Sequence, residues 1–203
     1  MMTVTKLHKM KSRLLLIFTI LIFNIVNAQQ IVDVSEYVNQ INEVPNKYYK
    51  DLNNIFSNYI GTWENTTGNS TFRVTLWKVE KVKYPIGKNV YMDEIHGKFM
   101  MIQDAGQPNE TILYRSDKEF LNTGSYWTDI IQDMPTTTNG IGGGIFDNCM
   151  AIEGDYRLRS FSFRMDYTTT PVSAHWKVKY LPETHPSEPP ILIPTDLILI
   201  KVN

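Results

Sequence analysis

Beyond residue 60, apolar and polar positions alternate in short runs, which is the pattern of strands with one buried face. The alternation is clearest over residues 161–167 and 174–180, where aromatic or aliphatic residues occupy every second position. Further strand-like runs cover residues 72–76, 88–103, 111–114, 145–153 and 197–202. The links between the runs are short and polar and leave no room for crossover helices, so the strands are predicted to pair antiparallel.

The pattern also predicts one irregular strand and two loops. In the run that begins at residue 72, the apolar residues change from even-numbered to odd-numbered positions at Trp77 and Val79, which predicts a bulge or a strand covered on both faces. The first predicted loop is 133–144, which ends in the glycine-rich run Asn139-Gly140-Ile141-Gly142-Gly143-Gly144. The second is the proline-rich segment 181–190.

Before residue 60 the apolar spacing is helical. Asp33 and Glu36 form a variant of the capping box, and apolar residues follow at helical spacing as far as Val44. Pro45 interrupts this helix and can begin a second one over 45–59. The apolar face of the second helix consists of Tyr48, Tyr49, Leu52, Ile55, Phe56 and Tyr59. Its polar face has few basic residues, so packing on the domain is favoured over binding to a membrane surface.

The first 28 residues have the composition of an export signal. The basic residues Lys6, Lys9, Lys11 and Arg13 precede the apolar run 14–26. That run has about 13 residues, whereas a helix that crosses a bilayer needs about 20. Cleavage before Gln29 predicts an exported protein, periplasmic or extracellular, without stable membrane insertion. An uncleaved N-terminal anchor is the alternative, and Met10 is an alternative start to Met1.

The predicted organisation is a signal peptide (1–28), a helical segment packed on the barrel (29–60) and a β-barrel domain (61–203). Seven or eight strands at hairpin spacing favour an antiparallel up-and-down barrel of about eight strands or a meander-like sandwich. Cys149 is the only cysteine, so no intramolecular disulfide can form. The signal contains four of the 20 Lys and Arg residues and none of the 21 acidic residues. The mature part is therefore acidic, which argues against nucleic-acid binding.

A Gly-x-Trp sequence stands where the second predicted helix gives way to the first strand. The segment Tyr59-Ile60-Gly61-Thr62-Trp63-Glu64-Asn65 resembles the opening of lipocalins and their calycin relatives. The resemblance implies that Gly61 and Trp63 are structural signature residues. It also implies that Trp63 packs across the closed end of an eight-stranded barrel whose open end admits a small apolar ligand.

Two further resemblances concern the first strand and the layout of the chain. With residues 68–72, the same segment resembles the first strand of avidin-type biotin binders, whose later tryptophans and polar biotin contacts have no counterparts here. The overall layout is similar to that of uncharacterised secreted lipocalin-like bacterial proteins, which implies a fold and no activity.

Aromatic residues make up 12% of the chain, and several lie on predicted strands. A barrel of about eight strands is either filled by its inward side chains or holds one small ligand. The candidates for a ligand-binding lining are Tyr91, Phe99, Phe161, Phe163 and Trp176. The first hypothesis is an exported, non-enzymatic protein that binds a small apolar or amphipathic ligand. The alternative is an accessory or structural protein with a filled core that binds a protein or a glycan through its surface loops.

The chain contains no recognisable catalytic, cofactor or metal motif. His96, His175 and His185 are distant in sequence from one another and from Cys149, so the local spacing of a zinc site is missing. The glycine-rich run lacks the Gly-Lys-Ser/Thr ending of a phosphate loop. A hydrolase that combines Cys149 or a carboxylate pair with His96 or His175 is the third hypothesis. We expect no cofactor, metal or nucleic acid, and the oligomeric state is open.

Overall fold

The computed structural model describes residues 11, 13, 29–39, 45–83, 89–116, 130–137, 139–147, 157–179 and 193–202. Most of these residues are in strands, as the alternation predicts. The strands are β1 (Gln30–Asp33), β2 (Lys47–Lys50), β3 (Gly61–Thr67), β4 (Ser70–Lys83), β5 (Tyr91–Gln103), β6 (Thr111–Arg115), β7 (Ile130–Thr137), β8 (Gly140–Asp147), β9 (Arg157–Asp166), β10 (Ser173–Lys179) and β11 (Asp196–Lys201). Apart from positions 11 and 13, the predicted export signal lies outside the described residues, as does the predicted loop 181–190.

The described strands form one mixed sheet in the order β1-β2-β5-β4-β3-β11-β10-β9-β8-β7. From β5 to β7 along this order every neighbouring pair is antiparallel. The pairs β1–β2 and β2–β5 are parallel. Strands β1 and β2, which lie in the predicted helical segment 29–60, therefore add parallel pairs to the sheet. The sheet of the described residues is not closed into the barrel predicted for 61–203.

Strand β5 is the branching point of the sheet. It pairs with β4 over almost its whole length. It also pairs with β2 near its start, with β7 at His96 and Gly97, and with β6 near its end. The contact of β5 with β7, the last strand of the sheet order, is limited to two register pairs, and the sheet is not closed there into a barrel.

Within residues 29–39 and 45–60 neither of the two predicted helices is formed. Val34–Asn39 is a 3₁₀ helix, and the rest of the first predicted helix, 40–44, lies outside the described residues. Strand β2 followed by the 3₁₀ helix Ile55–Asn58 replaces the second. Tyr48 and Tyr49 are aromatic residues that favour strands, and both are buried in β2. Phe56 is buried as well. Leu52, on the same predicted face, is exposed. The helical spacing therefore identified most of the side chains that pack on the sheet but gave them the wrong backbone conformation.

The glycine-rich run is not a loop but part of strand β8. It pairs with β7 on one side and β9 on the other, so the backbone of this run is hydrogen-bonded within the sheet. Residues 133–137 of the same predicted loop belong to β7. Glycine is a weak strand former because it has no side chain to pack, and the pattern indicated a loop for that reason. Pairing on both sides overrides this weak local preference.

The alternation in β9 and β10 is confirmed. In β9, Phe161, Phe163 and Met165 are buried between exposed polar residues, and in β10 the buried residues include Trp176 and Val178. These side chains join inward residues of β3, β4 and β5 in one hydrophobic core. The irregularity predicted near Trp77 and Val79 appears as a shift of register between Val79 and Val82 in the β4–β5 pair.

Candidate functional site

Four of the five aromatic residues nominated for ligand binding lie together in the core. Phe99, Phe163 and Trp176 are 0% exposed and Phe161 is 2% exposed. The Trp176 ring centroid lies 5.7 Å from that of Phe161 and 6.4 Å from that of Phe99. Phe72, which the sequence did not nominate, lies 5.4 Å from Trp176 and 5.9 Å from Phe99. These spacings are those of aromatic rings packed against one another.

The signature tryptophan closes one side of this cluster. The Trp63 ring lies 5.0 Å from that of Phe163 in an edge-on contact, and its Nε1 donates to the carbonyl oxygen of Tyr59 at 2.8 Å. The ammonium of Lys201, on the last strand, lies 5.3 Å from the ring centroid of Trp63. Gly61 has φ 126°, a conformation that other residues rarely adopt. The Gly-x-Trp segment thus joins the second 3₁₀ helix, β3 and β11.

Tyr91 lies apart from the other nominated residues. It is at the start of β5, where it is partly exposed and lies in register with Tyr48 of β2. The ammonium of Lys81 lies 5.5 Å from the Tyr91 ring and 5.8 Å from the Tyr48 ring. Tyr91 therefore forms part of a cation–π arrangement at the N-terminal side of the sheet.

The packing of the aromatic cluster limits what these residues can bind. A side chain that lined a ligand cavity would keep some surface accessible to a water-sized sphere. Phe99, Phe163 and Trp176 keep none. Around these three rings the interior has the dense packing of an ordinary protein core.

A groove that the sequence did not reveal lies on the opposite, outward face of β3, β4 and β5. Three polar cross-strand pairs form its floor, namely Thr62 with Thr75, Glu64 with Arg73 and Thr66 with Thr71. The groove has two sections of about 470 and 540 Å³, which share Glu64 and Arg73. It extends from the turn 104–107 to Val202, and we call it the Arg73 groove.

One ion pair occupies the middle of the Arg73 groove. The Nε of Arg73 donates to Oε1 of Glu64, and the side chains are 31% and 22% exposed. Within the described part of the chain the two terminal nitrogens of Arg73 have no other hydrogen-bond partner. An arginine in this state can receive a planar anion such as a carboxylate on its free side.

Backbone and side-chain bonds fix the rim of the groove. The amide of Asp104 donates to the carbonyl oxygen of Asn69 at 2.7 Å and so ties the β5–β6 turn to the β3–β4 hairpin. Within the turn, Asn109 Nδ2 donates to Asp104 Oδ2 and the amide of Gly106 donates to Glu110 Oε2, both at 2.7 Å. The rim is therefore held in place before any ligand arrives.

A buried network of charges joins the N-terminal segment to the sheet. Asp93 on β5 has no exposed side-chain surface. Its Oδ1 accepts from the phenol of Tyr48 at 2.5 Å and from the amide of Lys81 at 3.1 Å. Its Oδ2 accepts from the amide of Asp51 at 3.0 Å and lies 3.2 Å from Lys78 Nζ. Tyr48, Asp51, Lys78 and Asp93 form what we call the carboxylate network.

Asp51 connects the carboxylate network to the second 3₁₀ helix. Its carboxylate is also fully buried and lies 3.4 Å from Lys78 Nζ. It accepts hydrogen bonds from the amides of Ile55 and Phe56 at 2.8 and 3.3 Å. The carboxylate thus satisfies backbone donors at the start of the helix, which have no partner within the helix itself.

The carboxylate network shifts the ionisation of its members. Burial raises the pKa of Asp93, but hydrogen bonds from Tyr48, from two backbone amides and from Lys78 outweigh burial and hold it below the ordinary value. Burial lowers the pKa of Lys78, but the bond to Asp93 and the charges of Asp93 and Asp51 outweigh burial and raise it. Burial and the bond to Asp93 raise the pKa of the Tyr48 phenol. The geometry therefore stabilises the charged carboxylate and ammonium, which suits an anchor.

The histidines named in the hydrolase hypothesis have separate carboxylate partners. His96 Nε2 lies 2.7 Å from Glu94 Oε2, and His175 Nε2 lies 2.6 Å from Asp196 Oδ1. Cys149 and His185 lie outside the described residues. Among the side chains that the structure places, no group of three or more His, Cys, Asp or Glu is arranged to hold a metal ion. None of the helices in this part of the chain is long and apolar enough to cross a membrane.

Residues 10–133, more than half of the chain, match the model of DUF6705, a family of unknown function. The chain belongs to the DUF6705 family. The family match includes β1 to β6, and hence the carboxylate network and all of the Arg73 groove except Val202. Comparison with curated proteins and with solved structures gives no match.

One sequence signal could have revealed the Arg73 groove. Gly68 and Asn69 form a two-residue turn, and such a turn fixes the register of the strands on either side. Counting outward from this turn places Glu64 opposite Arg73 and Thr66 opposite Thr71. The carboxylate network has no comparable signal, because its members come from distant parts of the chain.

Proposed function

We propose that the protein is an exported, non-catalytic binding protein with a lipocalin-like arrangement of strands, a filled interior and a ligand-binding outer surface. The partner is a glycan or a protein, and recognition uses the turns and outward side chains of the sheet. The packing of Phe99, Phe163 and Trp176, which leaves none of their surface accessible, is the observation that carries this proposal.

The lipocalin-like arrangement has two supports. In the order β5, β4, β3, β11, β10, β9, β8, β7 each strand is the antiparallel neighbour of the next, and two register pairs also join β7 to β5. Trp63 is fully buried and its Nε1 donates to the carbonyl oxygen of Tyr59, next to the second 3₁₀ helix, which supports a structural role for the Gly-x-Trp segment. This arrangement agrees with a relation to lipocalins and other calycins.

The packing of the aromatic side chains against one another supports binding at the outer surface rather than inside. Residues that could hold an apolar ligand inside are already in contact with one another. A ligand that entered among them would have to displace rings that are already packed at the density of a protein core. The Arg73 groove is already open and needs no such displacement.

Native mass spectrometry and affinity electrophoresis together test this function. Protein purified gently from its secreting source is expected to show the mass of the bare mature chain. Electrophoresis through gels that each contain one purified polysaccharide is expected to show retardation in at least one gel. A reproducible added mass from a small amphipathic molecule would contradict the proposal and favour the first hypothesis, a ligand inside the strands.

A further inference from the structure

The Arg73 groove offers a set of groups that matches an acidic sugar. Its floor alternates hydroxyl pairs with the Glu64–Arg73 ion pair, at a spacing of about 7 Å between successive rows on one face of the sheet. Met100 and Val202 add apolar surface. The lining also includes Lys98 near Val202 and Asp104 in the turn. The hydroxyls, the guanidinium and the small apolar patches suit the hydroxyls, carboxylate and C–H faces of a uronic acid.

Arg73 is the centre of this arrangement. Because Glu64 engages only its Nε, the two terminal nitrogens are available to a second carboxylate in the paired geometry that arginine favours. Glu64 competes for the same guanidinium and repels an incoming anion, so it sets a limit on affinity.

The threonine pair next to Arg73 supplies a hydroxyl donor or acceptor. Thr66 Oγ1 and Thr71 Oγ1 are 2.9 Å apart, so one hydroxyl donates to the other. When Thr71 is the donor, Thr66 keeps its proton for a ligand; when Thr66 is the donor, its oxygen can still accept from a ligand. Thr71 is 2% exposed, so the outward partner Thr66 presents the pair to the groove.

A peptide fits the Arg73 groove less well than a saccharide does. Extended peptides gain affinity by adding a strand to a free sheet edge. Along the groove, β4 is already paired with β3 on one side and β5 on the other, so it offers no free edge. The recognition groups that remain are side-chain hydroxyls, amides and charges, which suit sugar hydroxyls.

We propose that the Arg73 groove binds an acidic saccharide, with a uronate carboxylate on Arg73 and sugar hydroxyls on Thr66. This inference rests on the proposed outer-surface function and names the ligand class and the site. Each section of the groove has a volume within the range of about 300–1,000 Å³ that is usual for small-ligand sites.

The experiment is a calorimetric titration of the protein with a short oligogalacturonate. The control ligand is the same oligosaccharide with its carboxylates reduced to alcohols. We expect binding of the first and at least about tenfold weaker binding of the second, because a lost charge-assisted pair costs on the order of 1.5–3 kcal/mol. Equal affinity for both ligands, or binding of neither, would overturn the proposal.

Variants locate the site. Arg73→Gln is expected to weaken binding of oligogalacturonate at least about tenfold, whereas Glu64→Gln is expected to strengthen it because the competing carboxylate is gone. Arg164→Gln, on the exposed face of β9, is the matched control and should leave affinity unchanged. If the Glu64–Arg73 ion pair had a structural role alone, Arg73→Gln and Glu64→Gln would not be expected to have opposite effects on affinity.

A second variant keeps the test valid if Arg73→Gln fails to fold. Thr66→Val preserves the ion pair and the shape of the side chain, and it is expected to reduce affinity severalfold. If Glu64→Gln and Thr66→Val both leave affinity unchanged, the proposed site is wrong. If the protein binds a neutral polysaccharide and none of these variants alters that binding, the outer-surface function is retained. The proposal that the groove binds an acidic saccharide is then refuted.

Discussion

The phenol of Tyr48 donates a hydrogen bond of 2.5 Å to Asp93, which lies 45 positions further along the chain. This bond crosses from β2 to β5, the two strands that pair in parallel at the N-terminal side of the sheet. Since both residues are buried, the bond is shielded from water and is stronger than an exposed one. The N-terminal segment is thus anchored to the sheet by a polar contact as well as by apolar packing.

Replacing Asp93 with Asn should destabilise the protein by about 3 kcal/mol, because Lys78 loses one of its two buried carboxylate partners and an amide donor replaces an oxygen that accepts hydrogen bonds. The measurement is urea unfolding followed by tryptophan fluorescence. Asp196→Asn, which removes an exposed partner of His175, is the control and should leave the urea midpoint unchanged. Equal midpoints for Asp93→Asn and wild type would show that Asp93 has no anchoring role.

The free energy of unfolding should fall in acid because of Asp93. Its folded pKa is held below the value of about 3.9 for an unfolded chain. The unfolded state therefore binds more protons in that range, and the contribution of Asp93 is present above about pH 4 and lost as pH falls through the folded pKa. The slope from this one group cannot exceed about 1.4 kcal/mol per pH unit. Asp93→Asn should show a shallower acid limb in urea unfolding measured from pH 5 to pH 2.

The alkaline side depends on Lys78, Tyr48 and Tyr59, whose folded pKa values are raised. Groups of this kind stabilise the fold fully below their unfolded pKa, near 10 for each, and lose that contribution as pH rises further. Tyr48→Phe should therefore flatten the decline in unfolding free energy between pH 9 and pH 11. An unchanged alkaline slope in this variant would contradict the assignment to Tyr48.

Lys201→Met should destabilise the protein by about 1 kcal/mol, which is the usual contribution of a cation–π contact between an ammonium and an aromatic ring. Lys201 also donates to the carbonyl oxygen of Asn58 at 3.2 Å, and the variant loses this bond while keeping the aliphatic contact with Trp63. Thermal unfolding measures the effect. Lys177→Met, whose ammonium reaches only the exposed Asp196 across the strand pair, is the control and should be near neutral.

Gly61→Ala should cost about 1–3 kcal/mol, because a side chain at φ 126° strains the backbone. The strain falls next to Trp63, so the fluorescence of the folded variant should also change if β3 shifts to relieve it. Differential scanning calorimetry gives the stability. A melting temperature equal to that of wild type would show that the glycine of the Gly-x-Trp segment is not required by the backbone.

Side-chain alternation predicted the strands well where each strand has one buried and one exposed face. Residues 161–166 and 173–179 are of this kind, and their burial follows the sequence pattern. The segment 45–59 is different because Tyr48 and Tyr49 are buried on successive positions of a strand. Over so few residues, a strand buried on both faces and a helix buried on one face give the same spacing of apolar residues. The sequence pattern therefore predicts a helix where a strand is formed.

The functional surfaces depend on pairing between strands, which alternation alone does not give. The Glu64–Arg73 pair becomes visible only when the register of the β3–β4 hairpin is fixed. The carboxylate network requires β2, β4 and β5 to meet, and the parallel pairing of β2 with β5 was not expected. Local pattern therefore identified core residues such as Trp63 and Trp176, while the polar sites required the three-dimensional arrangement.

A titration with N-phenyl-1-naphthylamine tests most directly whether the interior is filled. This apolar dye becomes strongly fluorescent in an apolar cavity, and Trp176 would transfer excitation to a dye molecule bound beside it. We predict no saturable increase in dye fluorescence and no loss of tryptophan emission for the folded protein. Saturable binding of one dye molecule per chain, with quenching of tryptophan emission that disappears in Trp176→Phe, would show a ligand cavity among these rings. That result would contradict the account.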